Sequence, residues 1–150
     1  MTPPFLPISD VDPNVENQRF WDALREGRIE LPFCGKCCAF VWYPRAMCPG
    51  CHAEVADWRT LPGTGSVYSY TIVGKGAGRW KDAGPYVTAY VQLDSGIDGV
   101  DGPRVLTNIV DASTTSDVQQ KIKIDSRVTA IIDRDVTRDG VERVLLRFTV

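Results

Sequence analysis

The sequence predicts a mainly β chain: an N-terminal helix, a short metal-bound ribbon, then a small five-stranded barrel. Three observations carry this. Four of the five cysteines form two pairs, Cys34-Gly35-Lys36-Cys37 and Cys48-Pro49-Gly50-Cys51, with ten residues between them. Five short stretches of period-two alternation, separated by turn residues, fall within residues 58–150. An incomplete apolar stripe lies between Pro13 and Gly27.

The elements follow in chain order. Pro3, Pro4, Pro7 and Pro13 make the first dozen residues too proline-rich for a core element, so they read as an arm lying on another surface. A helix then begins with Asp12 as cap and Pro13 at its first position, and stops at Gly27. Its stripe is Val15, Phe20, Trp21 and Leu24, and the two aromatics are expected to pack on the ribbon. Residues 1–28 are therefore assigned to arm and helix, 29–57 to the ribbon and 58–150 to the barrel. Residues 29–33 form a strand leading into the first cysteine pair. Ala39-Phe40-Val41-Trp42-Tyr43-Pro44 reads as a small hairpin whose aromatics cover the metal. The barrel strands are predicted over residues 65–73, 86–93, 104–110, 126–133 and 141–149, with Asp139-Gly140 as a hairpin turn. Val87, Ala89, Val91 and Leu93 share one face of the second of these. Five strands with no convincing second helix fit an oligonucleotide/oligosaccharide-binding (OB) barrel.

Each C-x-x-C turn can aim both sulfurs at one point, and two such turns supply the thiolates of a tetrahedral site: Cys34, Cys37, Cys48 and Cys51. Gly35 and Gly50 are expected where the backbone folds tightly around sulfur. Zinc is the expected ion in a reducing compartment, although iron fits the same four sulfurs. A disulfide framework belongs to secreted chains, and Met1-Thr2-Pro3-Pro4-Phe5 lacks the basic and apolar regions of a signal peptide. Cys38 is expected as a small buried side chain, and His52, the single histidine, as a surface residue of the knuckle. A ribbon of about 25 residues makes little core of its own, so the metal must supply much of its folding free energy.

Composition bounds the function. Hydrophobic residues at 43% can fill a core, and no apolar run reaches membrane-spanning length. A formal charge of −2 gives no electrostatic case for general nucleic-acid binding. The chain reads as soluble and cytoplasmic. No acid/base pair stands out, and four thiolates leave no open position for substrate or activated water. The chain is therefore expected to catalyse nothing alone. One segment remains: Gly74-Lys75-Gly76-Ala77-Gly78-Arg79-Trp80-Lys81, between the first two barrel strands. It reads either as a flexible loop or as an anion site, with Lys75, Arg79 and Lys81 meeting phosphates and Trp80 stacking a base, as a CoA nucleotide requires.

The run Phe20-Trp21-Asp22-Ala23-Leu24-Arg25-Glu26-Gly27 precedes the first cysteine pair. Tyr43-Pro44-Arg45, the second pair, Trp58, Gly63-Thr64-Gly65-Ser66-Val67-Tyr68-Ser69-Tyr70-Thr71 and Pro85-Tyr86 follow. With Tyr90-Val91-Gln92-Leu93-Asp94 and Leu106-Thr107-Asn108-Ile109-Val110-Asp111, the order resembles the zinc-ribbon/OB-fold family known as domain of unknown function 35, over residues 15–150. Ile124-Asp125-Ser126-Arg127-Val128 departs from the family's Ile-Gly-x-x-Val, and Asp98-Gly99-Val100-Asp101-Gly102 looks like a lengthened loop.

The resemblance implies a rubredoxin-like zinc ribbon followed by a five-stranded OB-fold barrel. It also implies a non-catalytic, acyl-CoA-associated accessory subunit. The catalytic residues then lie on a thiolase-like or hydratase-like partner, in a heterotetramer acting in lipid or aromatic acid degradation. Thiolytic, Claisen or retro-aldol chemistry on acyl-CoA thioesters is what such complexes perform. Two rivals stay open: a single-strand nucleic-acid-binding OB module, and a scaffold that never touches CoA.

Overall fold

The computed structural model describes residues 6–8, 13–110, 120–136 and 140–150. Asp12, expected as the helix cap, and Asp139, expected in the hairpin turn, lie outside these. One helix, α1 (Gln18–Arg25), precedes a ribbon sheet of β1 (Ile29–Cys34), β2 (Ala39–Phe40) and β3 (Asp57–Leu61). Five further strands follow: β4 (Thr64–Val73), β5 (Tyr86–Leu93), β6 (Arg104–Ile109), β7 (Arg127–Val136) and β8 (Glu142–Thr149).

The helix starts later than Pro13 suggests. Asn14 and Asn17 use their side chains on the backbone: Asn14 Oδ1 accepts from the amides of Glu16 and Asn17, both at 3.0 Å, and Asn17 Oδ1 accepts from the amide of Asn14 at 2.8 Å. These local bonds compete with helical ones and hold a turn over 15–17. Val15, placed in the apolar stripe by its spacing, is fully exposed as a result. The end matches expectation. Gly27 takes φ +88°, its amide bonds Leu24 O at 3.1 Å, and the Arg28 amide bonds Ala23 O at 2.9 Å, the paired closure of a glycine-stopped helix.

β1 is the central strand of the ribbon, antiparallel to both β2 and β3. The alternation did not announce β3, since only Leu61 is fully buried along it. Its placement beside β1 joins Trp58, read as the start of the barrel, to the ribbon sheet. The remaining strands close in the order β4-β5-β6-β8-β7. Closure comes from a short parallel contact between β6 and β8 at Ile109 and Phe148, and from Thr64–Ser66 of β4 against Arg127–Thr129 of β7. This is a five-stranded, OB-type barrel.

Inside, Val67, Val87, Ala89, Val91, Leu93, Val105, Val128, Val144, Leu146 and Phe148 are buried. Phe20, Trp21 and Leu24 from α1 and Ile29, Leu31 and Leu61 from the ribbon belong to the same cluster. Helix, ribbon and barrel therefore share one core. Gly65 has no room for a side chain, because a Cβ there would stand 2.5 Å from the Gln92 carbonyl oxygen.

Residues 6–8 lie on the chain itself. Leu6 and Ile8 are buried, and the carbonyls of Leu6 and Pro7 accept bonds from Arg147 Nη2 at 3.1 and 2.9 Å. Arg147 is almost wholly buried, and its Nη1 donates to Asp133. Burial lowers its pKa, and the Asp133 charge opposes that.

Candidate metal centre and loop site

The first knuckle forms as β1 runs out at Cys34 and returns through residues 35–38 to β2. The second is closed by an isolated bridge between Met47 and Glu54. Each knuckle is thus the bend of its own ladder, and the expected single hairpin between the pairs is replaced by two that face each other. Glycine is not what the bends require. The left-handed residues are Cys38 (φ +51°) and His52 (φ +59°), while a Cβ on Gly35 would meet open space.

The four sulfurs all lie within 4.8 Å of one another. Cys34 and Cys51 are 3.6 Å apart, and Cys48 and Cys37 are 3.8 Å apart. A tetrahedral ion with bonds of about 2.3 Å to sulfur requires S···S edges of about 3.8 Å. Two sulfur pairs already stand near that edge, and the donor set fits such an ion. Backbone amides point inward as well: Cys37 N lies 3.4 Å from Cys34 Sγ, and Gly50 N lies 3.4 Å from Cys48 Sγ. Such amides favour the thiolate.

Their surroundings split the thiols. Hydrogen bonds to Cys51 and Cys48 and the crowding of neighbours push Cys37 up to about 12, while backbone donors from Cys51 and Gly50 lower Cys48 to about 7. Four sulfurs this close hold four negative charges only around a cation. A bound ion would be held by Cys34, Cys37, Cys48 and Cys51, and would supply cross-linking rather than chemistry, because four thiolates fill a tetrahedral shell.

Val41 and Val55 cover the cluster. The aromatics expected there turn elsewhere: Trp42 stacks edge-on against Phe20 at 5.5 Å, and Phe40 against Phe33 at 5.1 Å. Their area is better buried against the helix and barrel core, which a small metal site cannot offer. Cys38, expected to be buried, is exposed, its left-handed backbone turning the sulfur toward Gly35 O, 3.6 Å away. His52 is exposed beside the knuckle, lining a cleft of about 630 Å³ with Tyr43, Met47 and Glu16.

The loop residues Lys75, Arg79, Trp80 and Lys81 sit between β4 and β5 around a single 3-10 turn, Gly78–Trp80. The chain folds back on itself there, since a Cβ on Gly76 would stand 2.2 Å from Trp80 O. Trp80 leans on Tyr86, with ring centroids 4.7 Å apart and planes 41° apart. Lys81 lies 3.9 Å from Asp82, both largely exposed. Arg79 lines a cleft of about 500 Å³ with Asp82, Asp135, Arg143, Pro7 and Ile8. Lys75, Trp80 and Lys81 do not line that cleft, so the loop presents its cations separately rather than as one cradle.

A cluster on the outer barrel face escaped the sequence reading. Tyr68, Tyr90 and Leu106 are exposed there, and the Arg104 guanidinium lies 3.7 Å from the Tyr68 ring centroid. The alternation signals that Tyr90 faces opposite to Val91. Only strand register shows that it meets Leu106.

Comparison with known proteins finds two family matches. Residues 21–56 match a family described as the rubredoxin-like zinc ribbon domain of ChsH2, and residues 58–133 match the C-terminal OB-fold domain of ChsH2. A DUF35 domain-containing scaffold protein of Methanothermobacter thermautotrophicus is 31% identical over 110 residues, spanning 72% of this chain and 74% of that protein. A probable enoyl-CoA hydratase alpha subunit of Thermomonospora curvata is 33% identical over 99 residues, 65% of this chain but 28% of that longer protein. Among solved structures, a chain of the Ltp2-ChsH2(DUF35) aldolase superposes with a TM-score of 0.67 at 26% identity, covering 93% of this chain and 98% of that one.

Proposed function

Because this chain belongs to the ChsH2-like (DUF35) family of zinc-ribbon and OB-fold proteins, we propose that it is the accessory, non-catalytic subunit of a thiolase- or aldolase-type complex. Such a complex would act on acyl-CoA thioesters by thiolytic, Claisen or retro-aldol chemistry. The observation that carries this reading is the end-to-end likeness to a chain of an aldolase assembly, covering 93% of this chain and 98% of the other. A relative described as part of an enoyl-CoA hydratase supports the thioester side of it. The four-cysteine cluster supports a structural subunit, since it has no coordination position for substrate. The ion proposed for it is zinc.

In this reading the partner supplies the reacting groups. The loop carrying Lys75, Arg79, Trp80 and Lys81 contributes to the CoA end of the substrate path: cations for phosphate, and an indole for the adenine. Among the described residues no helix is long and apolar enough to cross a membrane.

The test is reconstitution. Co-expression with a thiolase- or aldolase-type subunit gives a stable heteromer that turns over an acyl-CoA thioester, while the isolated chain gives none. Clear turnover by the chain alone would sink the proposal. Replacing Arg79 and Trp80 together by Ala raises the Michaelis constant of the intact complex about tenfold. An unchanged constant would favour a scaffold that never touches CoA.

A further inference from the structure

The strand residues on the outer face of β4, β5 and β6 carry a single charge, Arg104. Around it stand the exposed Tyr68, Tyr90 and Leu106, at 51%, 46% and 58% of full exposure. They are contiguous. Tyr90 and Leu106 are cross-strand partners, and Ser69, on the other side of Tyr90, adjoins the β4 irregularity between Val67 and Ser69 that contains Tyr68.

Arg104 is held before anything binds. Its guanidinium stacks on Tyr68, its Nε donates to Gln92 Oε1 at 2.9 Å, and Gln92 Nε2 donates to the Gly102 carbonyl. Among the described residues its terminal nitrogens make no hydrogen bond. A fixed guanidinium edge beside exposed rings loses little freedom on binding and matches a carboxylate through two parallel bonds. Tyrosine and arginine are residue types enriched at the energetic centres of protein interfaces. The face is an open strand surface rather than a cleft, and small-molecule sites are concave. One cation does not track a phosphate backbone.

We propose that this face docks a protein partner which sets a carboxylate on Arg104 and an apolar side chain against Tyr68, Tyr90 and Leu106. That partner is the catalytic subunit of the complex proposed above, and the inference rests on that reading.

The experiment is titration of the purified chain against the thiolase- or aldolase-type subunit, read by calorimetry, with thermal melting to verify each variant's fold. Arg104→Glu and Leu106→Ser each raise the dissociation constant about tenfold or more, and Arg104→Lys, which keeps the charge but loses the fork, falls between. Glu54→Lys, an exposed charge change on the ribbon, leaves it unaltered. If the wild-type complex forms and all these folded variants bind as tightly, this inference fails and the accessory-subunit reading survives. If the wild-type chain forms no complex, both fail. Two further outcomes overturn the assignment: self-association abolished by Arg104→Glu, which makes the face a homodimer contact, or binding of a labelled single-stranded oligonucleotide abolished by the same change.

Discussion

The chemistry of individual side chains separates Cys38 from its four neighbours. Cys34, Cys37, Cys48 and Cys51 bring their sulfurs within 4.8 Å of one another, whereas the Cys38 sulfur turns toward Gly35 O. Cys48→Ser is therefore expected to abolish stoichiometric metal binding, and Cys38→Ser to leave it intact, as metal analysis of the purified proteins will show. Retained metal in the first variant would refute the four-sulfur assignment. The paired cysteines were legible in the sequence because a C-x-x-C turn is a local object. The position of Cys38 was not, because its sulfur direction depends on a left-handed backbone angle that spacing does not encode.

Among the elements, α1 links ribbon to barrel. Phe20 is 2% exposed, stacks edge-on with Trp21 at 4.9 Å and Trp42 at 5.5 Å, and belongs to the cluster that fills the barrel. Phe20→Ala removes a ring from a filled core and is expected to cost about 3–5 kcal/mol, measured by urea unfolding. A loss below about 1 kcal/mol would mean the helix is not part of the cooperative core. The barrel strands were readable to within a few residues, since alternation is a direct record of which face is wet. β3 was not: its exposed-intermediate-exposed-exposed-buried pattern carries no period, and only its pairing with β1 makes it a strand. The proline-rich start was read as an arm on another surface. Of that start, residues 6–8 cover Arg147, a partner about 140 residues away that no local pattern reveals.

For the whole molecule, the shared core makes ribbon and barrel one thermodynamic unit. Chelation of the bound metal is therefore expected to lower the midpoint of a single unfolding transition, followed by both tryptophan fluorescence and far-ultraviolet circular dichroism. Two separated transitions, with the barrel unmoved, would show that the ribbon folds apart from it. The same unity bears on the proposed role. A four-sulfur site, the exposed strand face proposed to dock a partner, and the loop between β4 and β5 are then held in fixed relation by one packed interior.

Sequence alone determined the four metal-ligand candidates, the five barrel strands and the family resemblance, because turns, alternation and ordered motifs are written in neighbouring residues. Tertiary structure alone decided what covers what: valines rather than aromatics over the sulfurs, residues 6–8 over Arg147, and an exposed Tyr68–Arg104–Leu106 face. Local spacing states which side of a strand is apolar. Only long-range packing decides which of those sides is left for a partner.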